Sequence, residues 1–220
     1  NRREWLQSSH AIMSIGAADV PRGCDATEAE ITWILSFAGC KSAFLENASQ
    51  ARKLLSNRAS LPILTHIFLF DYSDGGADGE LGAALTAAGF ELLSFDELAA
   101  RGAAWRSEHP GKVEEALEAG QAEDLATIIF TSGTTGEPKG VMLSHKNFLS
   151  QLPDLATRII LYPGERALCV LPVWHSFERL CEYVILNAAA GIIYSKPIGS
   201  ILLADFARMN PQLLPSVPRI

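Results

Sequence analysis

Short apolar runs alternate with amphipathic stretches along most of the chain, a pattern typical of an α/β fold. The apolar runs predict strands at 42–45, 67–70, 126–130, 167–170 and 192–194. The amphipathic stretches predict helices at 5–15, 27–37, 48–55, 144–157, 180–190 and 201–209. We therefore expect a layered domain with a largely parallel sheet flanked by helices.

Local signals fix some boundaries of these elements. Thr27-Glu28-Ala29-Glu30 is a capping box that begins a helix, and Gly16 ends the helix before it. Strand 42–45, helix 48–55 and strand 67–70 form a predicted βαβ unit. Residues 73–89 are rich in Gly, Ala and Asp, and residues 114–124 carry five carboxylates. We interpret them as a solvated insertion and a solvated helix face, with a variable loop or a partner surface as the alternative.

The segment Thr131–Gly140 reads TSGTTGEPKG and directly follows a predicted strand. Its glycines let backbone N–H groups approach a phosphate, its hydroxyls add neutral donors, and its lysine adds a positive charge. The candidate nucleotide-binding residues are Thr131, Ser132, Gly133, Thr134, Thr135, Gly136, Lys139 and Gly140. A Walker A loop is excluded, because Pro138 occupies its second glycine position and Gly140 its Ser/Thr position. The alternative to a nucleotide loop is a glycine-rich turn without a ligand.

A second segment, LPVWHSFER at 171–179, follows the predicted strand that ends at Val170. Open α/β sheets bind ligands at the carboxyl ends of their strands, and this segment lies at such a strand end. Taken alone, His175 beside Trp174 is more often a hydrogen-bonded packing residue. Glu178 and Arg179, taken alone, would be a surface or helix-start pair.

Together the two segments resemble the phosphate-binding signature and the LPxxHxxER segment of adenylate-forming (AMP-binding) enzymes, in their long-chain fatty acyl-CoA synthetase branch. Further segments similar to that branch lie at 1–5, 19–27, 194–197 and 215–220. Arg3 stands where proline is usual in the first of them. The resemblance is weakest between residues 73 and 120.

This resemblance implies a reaction in two steps. A fatty carboxylate attacks the α-phosphorus of ATP to give acyl-adenylate and pyrophosphate, and the thiol of coenzyme A then releases AMP. Lys139 would be catalytic by stabilising the leaving pyrophosphate, with Mg²⁺ bridging phosphates near Thr135. His175 would be the second catalytic residue, close to the reacting carboxylate, and Trp174, His175 and Glu178 would contact the substrate. The alternatives are a ligase for an aryl or amino acid and a nucleotide-binding module without catalysis.

The amino-acid composition limits which classes of binding partner and which cellular compartment are expected. The balance of 18 basic against 25 acidic side chains gives a net charge of −7, which excludes a general nucleic-acid binder and leaves small molecules as the expected partners. Four cysteines form no CxxC and no zinc-like spacing, which favours reduced thiols in the cytoplasm, with oxidised pairing open as an alternative. No signal peptide or membrane-spanning apolar segment is present, so any membrane contact would be peripheral.

Length sets the expected domain content. With 220 residues, 48% of them hydrophobic, the chain can bury the core of one domain. The family's later motifs, including its ribose-binding aspartate and the lysine of its mobile C-terminal domain, have no counterpart in this sequence. We therefore expect residues 1–220 to be part of the large N-terminal AMP-binding domain, without the mobile domain, and to be inactive alone.

Overall fold

The computed structural model describes residues 1–72, 79–131 and 138–218, and the chain divides into two compact units. One unit is Gln7–Gly120, and the other is Asn1–Leu6 with Gln121–Ile220. The elements of the first unit, whose opening helix begins in the other unit, are α1 (Arg3–Ser14), α2 (Glu28–Phe37), β1 (Ser42–Leu45), α3 (Ala48–Leu55), β2 (His66–Leu69), α4 (Glu80–Ala87), β3 (Glu91–Ser94), α5 (Phe95–Glu108) and α6 (Lys112–Ala119).

A three-stranded parallel sheet organises this first unit. The strand order is β1-β2-β3, with Ser42 paired to His66 and His66 to Glu91. The predicted βαβ unit is confirmed as β1-α3-β2, and Gly16 follows α1 with a φ of +73°, which suits glycine. A buried apolar cluster underlies the sheet: Leu35, Ala43, Ala51, Leu54, Leu61, Leu64, Ile67, Leu69, Leu85, Phe90 and Leu92.

Three elements of this unit were not expected. Residues 73–78 lie outside the described residues, but the rest of the predicted insertion contains α4, whose Leu85 is fully buried. The insertion prediction is therefore wrong there, because Leu81 and Leu85 are one helical turn apart and pack on the core. β3 and α5 were also missed, since the strand has only two apolar residues and the helix buries none. Helix α6 also buries no side chain, which confirms its solvated face.

The second unit contains two small sheets and four helices. Its elements are β4 (Leu125–Thr131), β5 (Lys139–Ser144), α7 (His145–Leu149), α8 (Leu152–Arg158), β6 (Arg166–Cys169), α9 (Ser176–Asn187), β7 (Gly191–Tyr194) and α10 (Gly199–Met209). Strands β4 and β5 are antiparallel, and β6 and β7 are parallel. Two of the three sheets in the described part of the chain are thus parallel, and the α/β prediction is confirmed.

Strand β6 is buried on both faces. Ala167 and Cys169 pack with Ile185 of α9, whereas Leu168 and the following Val170 pack with apolar residues that include Phe206 of α10. Two boundaries differ from the prediction. Helix 144–157 is two helices, α7 and α8, with Pro153 in the first turn of the second, and α9 begins at Ser176 rather than at 180.

The cysteines and the helices of the structure are relevant to the predictions about thiols and membranes. All four cysteines are free, and Cys169 and Cys181 are buried. In the described parts of the chain, no helix combines the length and the apolar character that a membrane crossing requires.

Candidate functional site

Strands β4 and β5 bring together the two ends of the candidate phosphate loop. Thr131 pairs directly with Lys139 across the hairpin, and the Thr131 hydroxyl donates to the Lys139 carbonyl oxygen at 3.5 Å. The Lys139 side chain is exposed and forms no ion pair with any residue that the structure describes. Ser132, Gly133, Thr134, Thr135 and Gly136 lie outside the described residues, so their role stays a prediction. The hairpin fixes the backbone of Lys139 and leaves its charge available to a ligand.

Gly140 has a packing role that the sequence did not suggest. It lies opposite Phe130 in the β4–β5 ladder, and a Cβ atom there would come within 3.0 Å of the Ile128 side chain and 3.3 Å of the Phe130 ring. Its absent side chain therefore allows the close approach of the two strands. The predicted contact of Gly140 with phosphate stays a prediction.

His175 lies at the start of helix α9 as its N-cap residue. Its Nδ1 atom accepts a hydrogen bond from the Phe177 backbone N–H at 3.3 Å, which satisfies one free donor of the first turn. Because Nδ1 is an acceptor, the ring proton is on Nε2. The His175 side chain is exposed and Trp174 is half-buried. His175 therefore combines the hydrogen-bonded role expected of a lone histidine with an N–H donor at the surface.

Glu178 and Arg179 follow in the first turn of α9, as a helix-start pair should. Both side chains are fully buried, so the surface interpretation of this pair is wrong. The predicted contact of Glu178 with substrate stays a prediction, and the structure places this side chain among buried groups of its own unit.

Arg179 connects helix α9 to strand β4. Its Nη1 atom donates to the Thr127 hydroxyl at 3.0 Å, and its Nε atom donates to the Tyr183 hydroxyl at 2.7 Å. Its guanidinium carbon lies 5.6, 5.7 and 5.8 Å from the ring centres of Trp5, Phe148 and Tyr183. A buried arginine is stable only with such partners, since an unpaired buried charge is costly. We call Arg179, Thr127 and these three aromatic residues the arginine cage.

The N-terminal residue Asn1 forms hydrogen bonds with the backbone of the second candidate segment. The side-chain amide of Asn1 donates to the Leu171 carbonyl at 2.5 Å and accepts from the Val173 N–H at 3.3 Å. Two hydrogen bonds thus orient the backbone directly before Trp174 and His175.

The arginine cage makes the two candidate segments parts of one scaffold. Thr127 lies four residues before Thr131 on β4, and Arg179 lies four residues after His175 at the start of α9. This bond could not be predicted from the sequence, because no spacing rule pairs a mid-strand threonine with an arginine 52 positions away.

A second buried group of polar side chains lies deeper on α9. Burial raises the pKa of Glu178 and that of Glu182 to about 7. It also raises the pKa of the neighbouring Cys169 thiol well above its usual range. Glu178, Cys181, Glu182 and Ile185 share one buried helix face at the i, i+3, i+4, i+7 spacing. That spacing was visible in the sequence but was missed, because the predicted helix began after Glu178.

Residues 1–220 match the family model described as AMP-binding enzyme over their whole length. The chain belongs to this AMP-binding family. It is 32% identical over 230 residues to long-chain-fatty-acid–CoA ligase 1 of Cavia porcellus, and it covers 31% of that protein. It is 29% identical over 225 residues to the chloroplastic long-chain-fatty-acid–[acyl-carrier-protein] ligase AEE15 of Arabidopsis thaliana, and it covers 30% of that protein. Both alignments include 100% of this chain.

A comparison of folds agrees with the family. The structure of O-succinylbenzoate coenzyme A synthetase from Bacillus subtilis, in complex with ATP and magnesium ion, superposes with a TM-score of 0.63. That match covers 100% of this chain and 38% of the solved chain at 16% identity, and it shows the fold alone. The chain thus spans about a third of the proteins that it matches. The name of the plant relative places that protein in the chloroplast, so a cytoplasmic location for this chain stays a prediction.

Proposed function

We propose that the protein activates a long-chain fatty acid, first as an acyl-adenylate and then as an acyl thioester. Residues 1–220 are part of its large N-terminal domain and supply the ATP phosphate loop and part of the acyl pocket. One observation carries the proposal: the Arg179–Thr127 hydrogen bond joins the helix that begins beside His175 to the strand that leads into the loop. Family membership and the acyl-ligase names of the relatives support the reaction class.

The first step transfers AMP to the fatty carboxylate. A carboxylate oxygen attacks the α-phosphorus, and pyrophosphate leaves with the bond electrons. Such transfers require positioning and charge neutralisation more than a covalent nucleophile. Lys139, exposed at the first position of β5, supplies a positive charge to the leaving pyrophosphate. Mg²⁺ would add charge neutralisation near Thr135, a residue outside the described part of the chain.

His175 is suited to orient the carboxylate in this step. Its Nδ1 is engaged by the Phe177 backbone, so its Nε2–H is a donor with a fixed direction. A hydrogen bond from Nε2 to one carboxylate oxygen would direct the other oxygen toward phosphorus. Trp174, half-buried beside it, would cover the start of the acyl chain.

The second step transfers the acyl group to a thiol. The sulfur attacks the carbonyl of the mixed anhydride, and AMP leaves with the bond electrons. We propose coenzyme A as the thiol. An acyl-carrier protein is a second candidate, because one relative is named as a ligase for that acceptor. Supplying each acceptor separately to the full-length enzyme with ATP and palmitate distinguishes the two by the thioester formed.

The role of Lys139 can be tested by separating the two steps. In the full-length enzyme, Lys139→Ala should slow pyrophosphate exchange by at least about a hundredfold. Thioester formation from supplied acyl-adenylate should change far less, because pyrophosphate has already left. Lys146→Ala is the matched control, since Lys146 is also exposed but pairs with Glu123 at 2.8 Å. Equal slowing of both steps by Lys139→Ala would contradict the proposed role.

The isolated piece provides a separate test of the domain assignment. Residues 1–220 span about 30% of the relatives, so we expect them to lack groups needed for turnover. Incubation with ATP, Mg²⁺, palmitate and coenzyme A should give no acyl-CoA. Robust product from residues 1–220 alone would overturn this assignment.

A further inference from the structure

Cys169, Glu178 and Glu182 form a buried group with the donor atoms of a metal site. Cys169 ends strand β6, and the two glutamates lie one helical turn apart on α9, so all three side chains converge. One donor atom from each residue lies within 4.8 Å of the others, and all three side chains are fully buried. We call them the Cys–Glu cluster. None of the three belongs to the phosphate loop, where Mg²⁺ is expected.

The oxygen atoms of this cluster make no hydrogen bond of good geometry. All four carboxylate oxygens of Glu178 and Glu182 are buried, and no described residue donates to them in good geometry, although the Leu171 backbone lies beside Glu178 and the Tyr194 hydroxyl beside Glu182. The hydroxyl oxygen of Tyr194, on the adjacent strand β7, is also buried without a hydrogen bond of good geometry. Buried polar atoms are almost always satisfied, and several together mark a place where a ligand is missing. These orphaned atoms are independent of the donor spacing and indicate the same place.

The local charge balance also favours a cation. Two carboxylates in one apolar environment repel each other, and the nearby Arg179 guanidinium lowers the pKa of Glu182 only in part against burial. That guanidinium already donates to Thr127 and Tyr183. A divalent cation would neutralise the two carboxylates and would stabilise the thiolate of Cys169.

We propose that the Cys–Glu cluster binds a divalent cation of the zinc class through Cys169 Sγ and one oxygen from each of Glu178 and Glu182. One sulfur with two carboxylate ligands suits Zn²⁺, whereas Mg²⁺ prefers oxygen ligands and keeps water. The Tyr194 hydroxyl, which neighbours Glu182, is a candidate for a fourth donor. Because the cluster is fully buried, the ion binds as the protein folds and is structural. It connects β6 to the first two turns of α9, the helix that His175 caps.

The test uses untagged full-length protein. Its accessible thiols are alkylated after purification and before the metal analysis, so that Cys24 cannot contribute. After expression with Zn²⁺ and gel filtration, the protein should retain about one equivalent of zinc by mass spectrometry. Replacement of the zinc with Co²⁺ should give the near-ultraviolet thiolate-to-cobalt absorption and the visible bands of a tetrahedral site. Absence of both the retained zinc and the cobalt thiolate band in wild type would overturn the proposal.

Substitutions of the proposed ligand residues test which side chains bind the metal. Glu182→Gln keeps the side-chain volume, and Cys169→Ser replaces the sulfur; each should weaken metal affinity by at least about tenfold. Cys24→Ser is the matched control, because Cys24 is exposed, and it should bind like wild type. If Cys169→Ser does not fold, the cobalt thiolate band of the wild-type protein still tests the sulfur ligand, and the metal affinity of Glu182→Gln still tests the carboxylate ligand. Metal retained equally in Glu182→Gln and wild type would show that the ion binds elsewhere and would refute the assignment.

Discussion

The bond between Thr127 and Arg179 should be essential to the scaffold, and Thr127→Val tests it. Valine has nearly the same shape as threonine and suits a strand, so the substitution leaves no cavity in β4. It removes only the oxygen that accepts from Arg179 Nη1 at 3.0 Å. Thr127 and Arg179 are both fully buried, so water cannot replace the lost acceptor.

The magnitude follows from this burial. A hydrogen bond to a charged group contributes about 1.5–3 kcal/mol. We therefore expect Thr127→Val to lower the free energy of unfolding by about 1.5–3 kcal/mol. Small proteins lose about 1–3 kcal/mol of stability per molar urea and larger proteins lose more, so the unfolding midpoint should fall by roughly 0.5–1 M. Adenylation should slow as well, because the strand that leads into the phosphate loop loses its connection to the helix of His175.

The assay is urea unfolding of the full-length enzyme followed by tryptophan fluorescence, with pyrophosphate exchange measured in parallel. Trp5 reports directly, because its ring lies 5.6 Å from the Arg179 guanidinium. Thr127→Ser keeps the hydroxyl and should restore most of both properties. Thr157→Val, at an exposed threonine of α8, should change stability by less than about 0.5 kcal/mol. If Thr127→Val behaves like Thr157→Val in both assays, the cage does not hold the scaffold together.

Other predictions concern pH, packing and thiol access. The pKa of Glu178 and of Glu182 is raised from 4.5 to about 7 in the fold, so metal-free protein loses stability as pH rises through this window. Relative to wild type, Glu182→Gln should therefore gain stability as pH rises from about 4.5, with the full gain above about pH 7, measured by urea unfolding with chelator. Gly140→Ala should destabilise the β4–β5 hairpin by about 1–3 kcal/mol, because its Cβ would meet Ile128 at 3.0 Å. A maleimide should label Cys24 in native protein, whereas two buried cysteines should react only after unfolding.

Much of the fold could be predicted, because its strands are continuous apolar runs and its helices have recognisable caps. Asn47 caps α3, which the sequence placed at the observed residues 48–55. The failures occur where the apolar signal is short or absent. Strand β3 has only Leu92 and Leu93 at its centre, and β5 is exposed along most of its length. An exposed strand that pairs with only one neighbour carries no burial pattern that a sequence could reveal.

Some residues of the candidate site could also be predicted from the sequence, and others could not. Motif residues that are proposed to act through their own chemistry, such as Lys139 and His175, could be named from the sequence. Residues that act through a partner could not, because their roles depend on contacts between distant segments. Arg179 looks like a surface charge until the rings of Trp5, Phe148 and Tyr183 surround it. Glu178 and Glu182 likewise look solvated until α9 turns their face inward.

Helix α9 explains why these buried groups matter for the proposed chemistry. Its N-cap is His175, and within two turns it presents Arg179 to the cage and Glu178 and Glu182 to the Cys–Glu cluster. The orientation of the His175 ring is fixed by the Phe177 N–H, so it follows any movement of the helix. A displacement of about 1 Å at a reacting group can cost about a hundredfold in rate. Buried substitutions on α9 should therefore slow adenylation without any contact with ATP, and their effect should disappear in variants that already lack the His175 ring.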